Sequence, residues 1–136
     1  MHHLEDAITL EVKRKRDALV ALRRKLHQMP ELGFKETQTA AIIAERLRAA
    51  GLKVQTGVGK TGVVGVLDGA QLGPTLMIRA DMDGLPVTEQ TGLPFASTNS
   101  IMHACGHDGH MAIATGAAEV LARLRTQLRG RVIFAF

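Results

Sequence analysis

Apolar positions recur along the first part of the chain with a helical period. Ile8, Val12, Leu19, Leu22 and Leu26 fall near a spacing of 3.6 residues and predict one amphipathic helix over residues 5–29. Pro30 closes it, because the residue before a proline avoids the helical region. A turn-containing loop over residues 26–34 follows. Ala40, Ile42, Ile43, Leu47 and Ala50 predict a second helix that starts near Glu36 or Thr37, with Gly51 at its left-handed C-terminal cap.

The period then falls to two. Residues 52–56 alternate as a half-buried or edge strand does. Residues 61–67 form a second predicted strand, whose two glycines point to close backbone approach. A turn cluster occupies residues 68–74. Residues 75–80 are an apolar run and predict a central strand covered on both faces. Residues 87–103 show no period, and loops of that length in compact domains are usually functional or mobile. Ala112, Ala114, Ala117, Ala118, Val120, Leu121 and Leu124 predict a helix over residues 109–128, with a small-residue face able to pack close to a sheet. Asp108 is placed to cap its start and Gly130 to end it. Residues 131–136 read as a further buried strand. No internal repeat or low-complexity segment interrupts this series.

Composition narrows the class. The 136 residues suffice for one compact domain, and 46% hydrophobic with 22% charged residues describe a soluble globular chain. Aromatics make up 3%, without Trp or Tyr, which argues against a stacking platform for single-stranded nucleic acid. The net charge of +4 comes from basic clusters at residues 13–16, 23–25 and 123–131. These lie on predicted helices or their ends and read as solvated faces, with no nucleic-acid motif beside them. A single cysteine makes no internal disulfide, so a reduced cytoplasmic thiol is expected. Neither a signal peptide nor a run of about 18 apolar residues is present in the sequence, so no membrane segment is expected.

The chemistry concentrates in Met102-His103-Ala104-Cys105-Gly106-His107-Asp108-Gly109-His110, which holds three of six histidines and the only cysteine. In an extended or turning segment Cys105 and His107, two residues apart, point to one side. A thiolate and an imidazole aimed at one point suit zinc or manganese. The alternatives are an inert core cysteine and histidines that cap a helix. A Cys105 nucleophile with His107 or His110 as base is disfavoured, because neighbours this close in sequence rarely reach triad geometry. Asp81 and Asp83 share the i, i+2 relation at the end of a predicted buried strand, where α/β sheets place their sites. They serve either a metal or ligand-orienting role or an Asp-Gly-Leu-Pro turn. Arg79 is expected to pair with one of them, and His27 and Glu31 to lock the loop around Pro30 by a hydrogen bond.

Four segments together resemble a known family. They are Leu26-His27-x-x-Pro30-Glu31-Leu32-Gly33-Phe34-x-Glu36-x-x-Thr39, Gly57-x-Gly59-x-Thr61-Gly62-Val63-Val64, Arg79-Ala80-Asp81-Met82-Asp83-x-Leu85-Pro86, and the 102–110 segment. In this order they resemble the metal-dependent amidohydrolases of the hippurate hydrolase, N-acyl-amino-acid deacetylase and indole-acetyl-amino-acid hydrolase branch of the aminoacylase/carboxypeptidase superfamily. The resemblance implies an α/β three-layer sandwich, with a mixed, mostly parallel sheet flanked by helices, of the zinc-exopeptidase type and incomplete here. Residues 1–136 would be the N-terminal part of its catalytic domain.

It further implies two divalent metal ions (Mn, Zn, Ni or Co) and hydrolysis of the amide bond of N-acyl amino acids by a metal-activated water. Cys105 and His107 match metal ligands, and Asp83 matches the aspartate that orients the site. Asp81 sits where more distant members carry a ligand histidine. His103 and His110 belong to the signature without matching ligands. The family's general-base glutamate, its later ligand histidines and its lid domain, used for dimerisation into a homo-oligomer, have no counterpart in these residues. The 136-residue chain alone is therefore expected to be inactive and, with an uncovered strand, to self-associate. The alternative is a metal- or thiol-dependent binding module, or one half of a split enzyme.

Overall fold

The computed structural model of the protein describes residues 2–136. Helix α1 covers His2–Gln28 and α2 Thr37–Ala49. Strands β1, Lys53–Val58, β2, Gly62–Asp68, and β3, Gln71–Arg79, follow. Helix α3 covers His107–Arg123, a short 3-10 turn Arg125–Gln127, and β4 runs over Arg129–Ala135. The sheet order is β1-β2-β4-β3. β1 with β2 and β2 with β4 are antiparallel, and β3 with β4 is parallel. The sheet is mixed, as expected, but within these residues the parallel pairing is the minority.

One face of the sheet carries the core. On β2, Val63, Gly65 and Leu67 are buried and alternate with half-buried neighbours. Gly65 and Leu67 lie opposite Phe134 and Val132 of β4, so all of them face one way. A Cβ on Gly65 would come within 3.0 Å of Leu47, which explains the glycine. Leu22 and Leu26 of α1, Ile43 and Leu47 of α2, and Met111 and Ala118 of α3 complete this cluster. Val64, Val66 and Ile133 on the other face stay half-exposed and outside it. Of the expected three layers, the described residues therefore supply two.

Several expectations change at this level. β3 is not central and covered: it is the edge of this sheet, with Leu76 and Met77 each 60% exposed. Its apolar run has no neighbour on the outer side among the described residues. β4 is the central strand. The predicted turn 68–74 shrinks to the two residues between β2 and β3. Gly130 does not end a helix. It lies inside β4 at φ 86, where a Cβ would meet the Pro74 carbonyl oxygen at 2.0 Å. The small face of α3 meets α1 rather than the sheet at Gly116, where a Cβ would stand 2.7 Å from Leu19.

Buried charge ties the helices together. Glu119 on α3 accepts from Lys15 of α1 at 2.8 Å and from Arg46 of α2 at 2.8 Å. Some of the basic residues read as solvated faces are thus partnered. Glu31 caps α2: its carboxylate accepts from the backbone N–H of Gln38 and Thr39 and from the Thr37 and Thr39 hydroxyls. Burial works to raise the pKa of Glu31, but these donors outweigh it and leave the pKa lowered. Glu36 makes no side-chain cap and instead accepts from Thr61 at 2.7 Å.

Candidate metal centre

Parallel strands β3 and β4 end on the same edge of the sheet, and the candidate residues gather there. Ala80 still bonds Ala135 at 2.9 Å, after which residues 81–83 leave the sheet. Gly84 N–H then donates to the Glu31 carbonyl at 2.8 Å. A side chain at Gly84 would press within 2.8 Å of Ile101 and 3.0 Å of Pro30. Leu85 and Met102 exchange both backbone hydrogen bonds, at 2.8 and 2.9 Å. This bridge closes the neck of the irregular segment and sets Asp83 beside the 103–107 turn. Gly106, at φ 77, makes the left-handed turn from Cys105 into α3 and is its N-cap residue.

His107 is the best-defined side chain of the group. Its Nδ1 lies 2.9 Å from the Asp83 carbonyl oxygen and 3.0 Å from Asp83 Oδ1. A carbonyl oxygen only accepts, so Nδ1 carries the hydrogen. In the neutral ring the lone pair is then on Nε2, which lies 4.0 Å from Asp81 Oδ2. Asp81 in turn accepts from Arg79, the pairing the sequence predicts, although both side chains are exposed rather than buried. His110 is exposed, its ring centroid 5.7 Å from that of His107. Cys105 is exposed. His103 is buried with neither ring nitrogen bonded, and burial lowers its pKa.

The geometry thus joins Asp81, Asp83 and His107. It does not close a cage: among the described residues no three His, Cys, Asp or Glu side chains are grouped as a metal ion would need. Asp108 is not the cap of α3. It lies inside the first turn, wholly buried, with Oδ2 hydrogen-bonded to His27 Nδ1 at 2.7 Å and ion-paired with Arg23 Nε at 2.7 Å. His27 accordingly bonds Asp108 and Glu89, not Glu31. Glu89 gives no sign in the sequence, because nothing periodic surrounds it. Its only cue is a carboxylate in a long loop rich in small and polar residues.

Residues 77–136 match the profile of Peptidase family M20/M25/M40. The chain is 42% identical over 135 residues to thermostable carboxypeptidase 1 of Saccharolobus solfataricus, covering 98% of this chain and 34% of that protein. It is 44% identical over 131 residues to an N-acyl-L-amino acid amidohydrolase of Geobacillus stearothermophilus, covering 93% and 35%. The crystal structure of the Bacillus subtilis YXEP protein, described as a dinuclear metal binding peptidase from the M20 family, superposes with a TM-score of 0.86 at 43% identity. That superposition covers 91% of this chain and 35% of the other. Residues 77–136 carry a Peptidase family M20/M25/M40 domain match, and the chain spans about a third of the length of these relatives. No helix among the described residues is long and apolar enough to cross a membrane.

The residues present fit a share of a divalent metal site. A histidine anchored through Nδ1 on a backbone carbonyl and a carboxylate, with Nε2 directed outward, is the arrangement that metal-binding histidines adopt. The thiol of Cys105 and the carboxylate of Asp81 add donors that borderline and harder ions accept.

Proposed function

We propose that these residues are the N-terminal part of the catalytic domain of a dinuclear-metal amidohydrolase that hydrolyses N-acyl amino acids, hippurate and N-acetyl amino acids included. The observation that carries the reading is the His107–Asp83 contact, which leaves Nε2 free at the C-terminal edge of parallel strands. The names of the relatives support the substrate class. Cys105 Sγ and His107 Nε2 are the metal ligands of this chain, and Asp83 fixes the tautomer and direction of the His107 ring. A pair of divalent ions, Mn, Zn, Ni or Co, supplies Lewis-acid polarisation of the amide carbonyl and lowers the pKa of the attacking water.

Neither carboxylate of the site is free for the general-base role, because Asp83 holds His107 and Asp81 holds Arg79. The remaining ligands, the base and the substrate-closing lid come from outside this stretch, and the 136-residue chain by itself turns nothing over. The protein works in the cytoplasm, where Cys105 stays reduced, as a homo-oligomer formed through that lid.

Hydrolysis of hippurate and N-acetyl amino acids by the full-length protein, with manganese, zinc, nickel or cobalt added after chelation, tests the reading. Metal-dependent release of the free amino acid, lost in Cys105→Ala and His107→Ala, is the expected result. Undiminished activity in either variant would remove the ligand assignment, and turnover by residues 1–136 alone would remove the division of labour.

A further inference from the structure

We propose that Glu89, acting through His27 and Asp108, is a positioning residue for His107. The proposal rests on the reading that His107 takes a metal. Glu89 lies in the irregular segment between β3 and α3, yet its side chain is fully buried. Its carboxylate accepts from the Thr91 hydroxyl, from His27 Nε2 at 3.0 Å and from the Ser97 N–H at 2.6 Å. These donors, Thr91 foremost, hold its pKa at about 2.

An ionised carboxylate only accepts, so Nε2 of His27 donates to it. At the other side of the ring Nδ1 meets Asp108 Oδ2 at 2.7 Å, and that oxygen is also ion-paired with Arg23. The buried imidazole therefore bridges two carboxylates, one at each ring nitrogen. One of those carboxylates belongs to the residue next to His107 in the first turn of α3. Asp83 grips the His107 ring from the β3 side, and the Asp108–His27–Glu89 chain grips its backbone from the α1 side. Phe95 of the same segment closes over this chain, with its ring centroid 4.9 Å from the Arg24 guanidinium and 5.6 Å from the His27 ring.

The network lies apart from the apolar core. No residue between Met82 and Met111 enters the buried apolar cluster. What Glu89 joins is a long loop, the end of α1 and the turn that carries the metal-facing histidine.

Cobalt(II) titration of the full-length protein, followed by visible absorption, is the test, with thermal unfolding run alongside. Glu89→Ala is expected to weaken cobalt binding about tenfold or more and to alter the d–d bands while the fold is kept. Glu89→Gln, which keeps one acceptor toward His27, is expected to fall between that variant and the parent. Asn99→Ala serves as the control. It removes the bond from Asn99 to the Pro30 carbonyl and those that its Oδ1 accepts from Ser97 and Ile101, other anchors of the same segment, without touching His27. Its cobalt spectrum is expected to match the parent.

An unchanged affinity and spectrum in Glu89→Ala, with only a lower melting temperature, would overturn the proposal, as would an equal change in Asn99→Ala. If Glu89→Ala does not fold, Glu89→Gln decides the question in the same way. Failure of the unsubstituted protein to bind cobalt would instead sink the metal reading beneath it.

Discussion

His27 and His107 each bond an aspartate, but their other surroundings differ. His27 is 3% exposed and spends both ring nitrogens on carboxylates, Asp108 and Glu89. His107 is 18% exposed and spends one nitrogen on Asp83, leaving the other toward Asp81 at 4.0 Å. A saturated ring in a buried site holds its neighbours still. A ring anchored through one nitrogen at a sheet edge presents the other nitrogen away from its anchor. The residue type is the same, and the second nitrogen's partner decides the role.

The comparison breaks most visibly if the buried member is removed. Asp108→Ala leaves Arg23 without its partner and His27 bonded to Glu89 alone, with Nδ1 unpaired. Removing one partner of a buried charged pair costs about 3–5 kcal/mol. Denaturant unfolding is expected to show a loss of that size. A loss below about 1 kcal/mol would mean that solvent reaches the network and that the contrast with His107 is overstated.

The half-saturated member gives the reverse pattern. Asp83→Ala removes the carboxylate from His107 Nδ1 and leaves it only the backbone carbonyl of residue 83, and metal affinity is expected to fall about 10- to 100-fold, with stability changed by less than about 1 kcal/mol. Equilibrium dialysis and unfolding of the same samples separate the two effects. A variant that unfolds but binds metal normally would make Asp83 a brace of the His27 kind.

This contrast marks where the sequence is legible. Helix α1 and its end at Pro30, helix α2 with Gly51 at φ 85, and the antiparallel β1–β2 pair all follow from local period and turn chemistry. So does the meeting of Asp83 with the 102–110 segment, since both carry signatures. What is not legible depends on partners distant in sequence. Asp108 fits a helix cap by position, but His27, 81 residues away, draws it inside. Residues 75–80 fit a central strand by composition, yet position in a sheet is set by which strands exist to pair with them. Glu89 is invisible because its three donors are brought together only by the folded loop.

Acid separates the two regions next. Glu89 has a folded pKa of about 2 against 4.5, and that of Glu31 is lowered as well. A depressed carboxylate stabilises the fold above its unfolded pKa, and that contribution is lost as pH falls toward the folded value. The melting temperature is thus expected to drop between about pH 4.5 and pH 2, and Glu89→Gln to flatten that drop by about 5 °C. A parallel pair of curves for parent and variant would show that Glu89 is not the group being titrated.

The smallest expected effect on stability lies at the edge of the sheet, on β3. Leu76 and Met77 are each 60% exposed on an unpaired edge, and Leu72 is 95% exposed. An edge strand with apolar side chains pairs readily with another chain. Residues 1–136 alone are therefore expected to self-associate, and light scattering to show it. Leu76→Lys adds a charge on that edge and removes little buried surface. It is expected to reduce association while changing unfolding free energy by no more than about 0.5 kcal/mol. If association persists unchanged, the half-exposed face of Val64, Val66 and Ile133 is the adhesive surface instead, and Val66→Lys is the variant that should then disperse the chain.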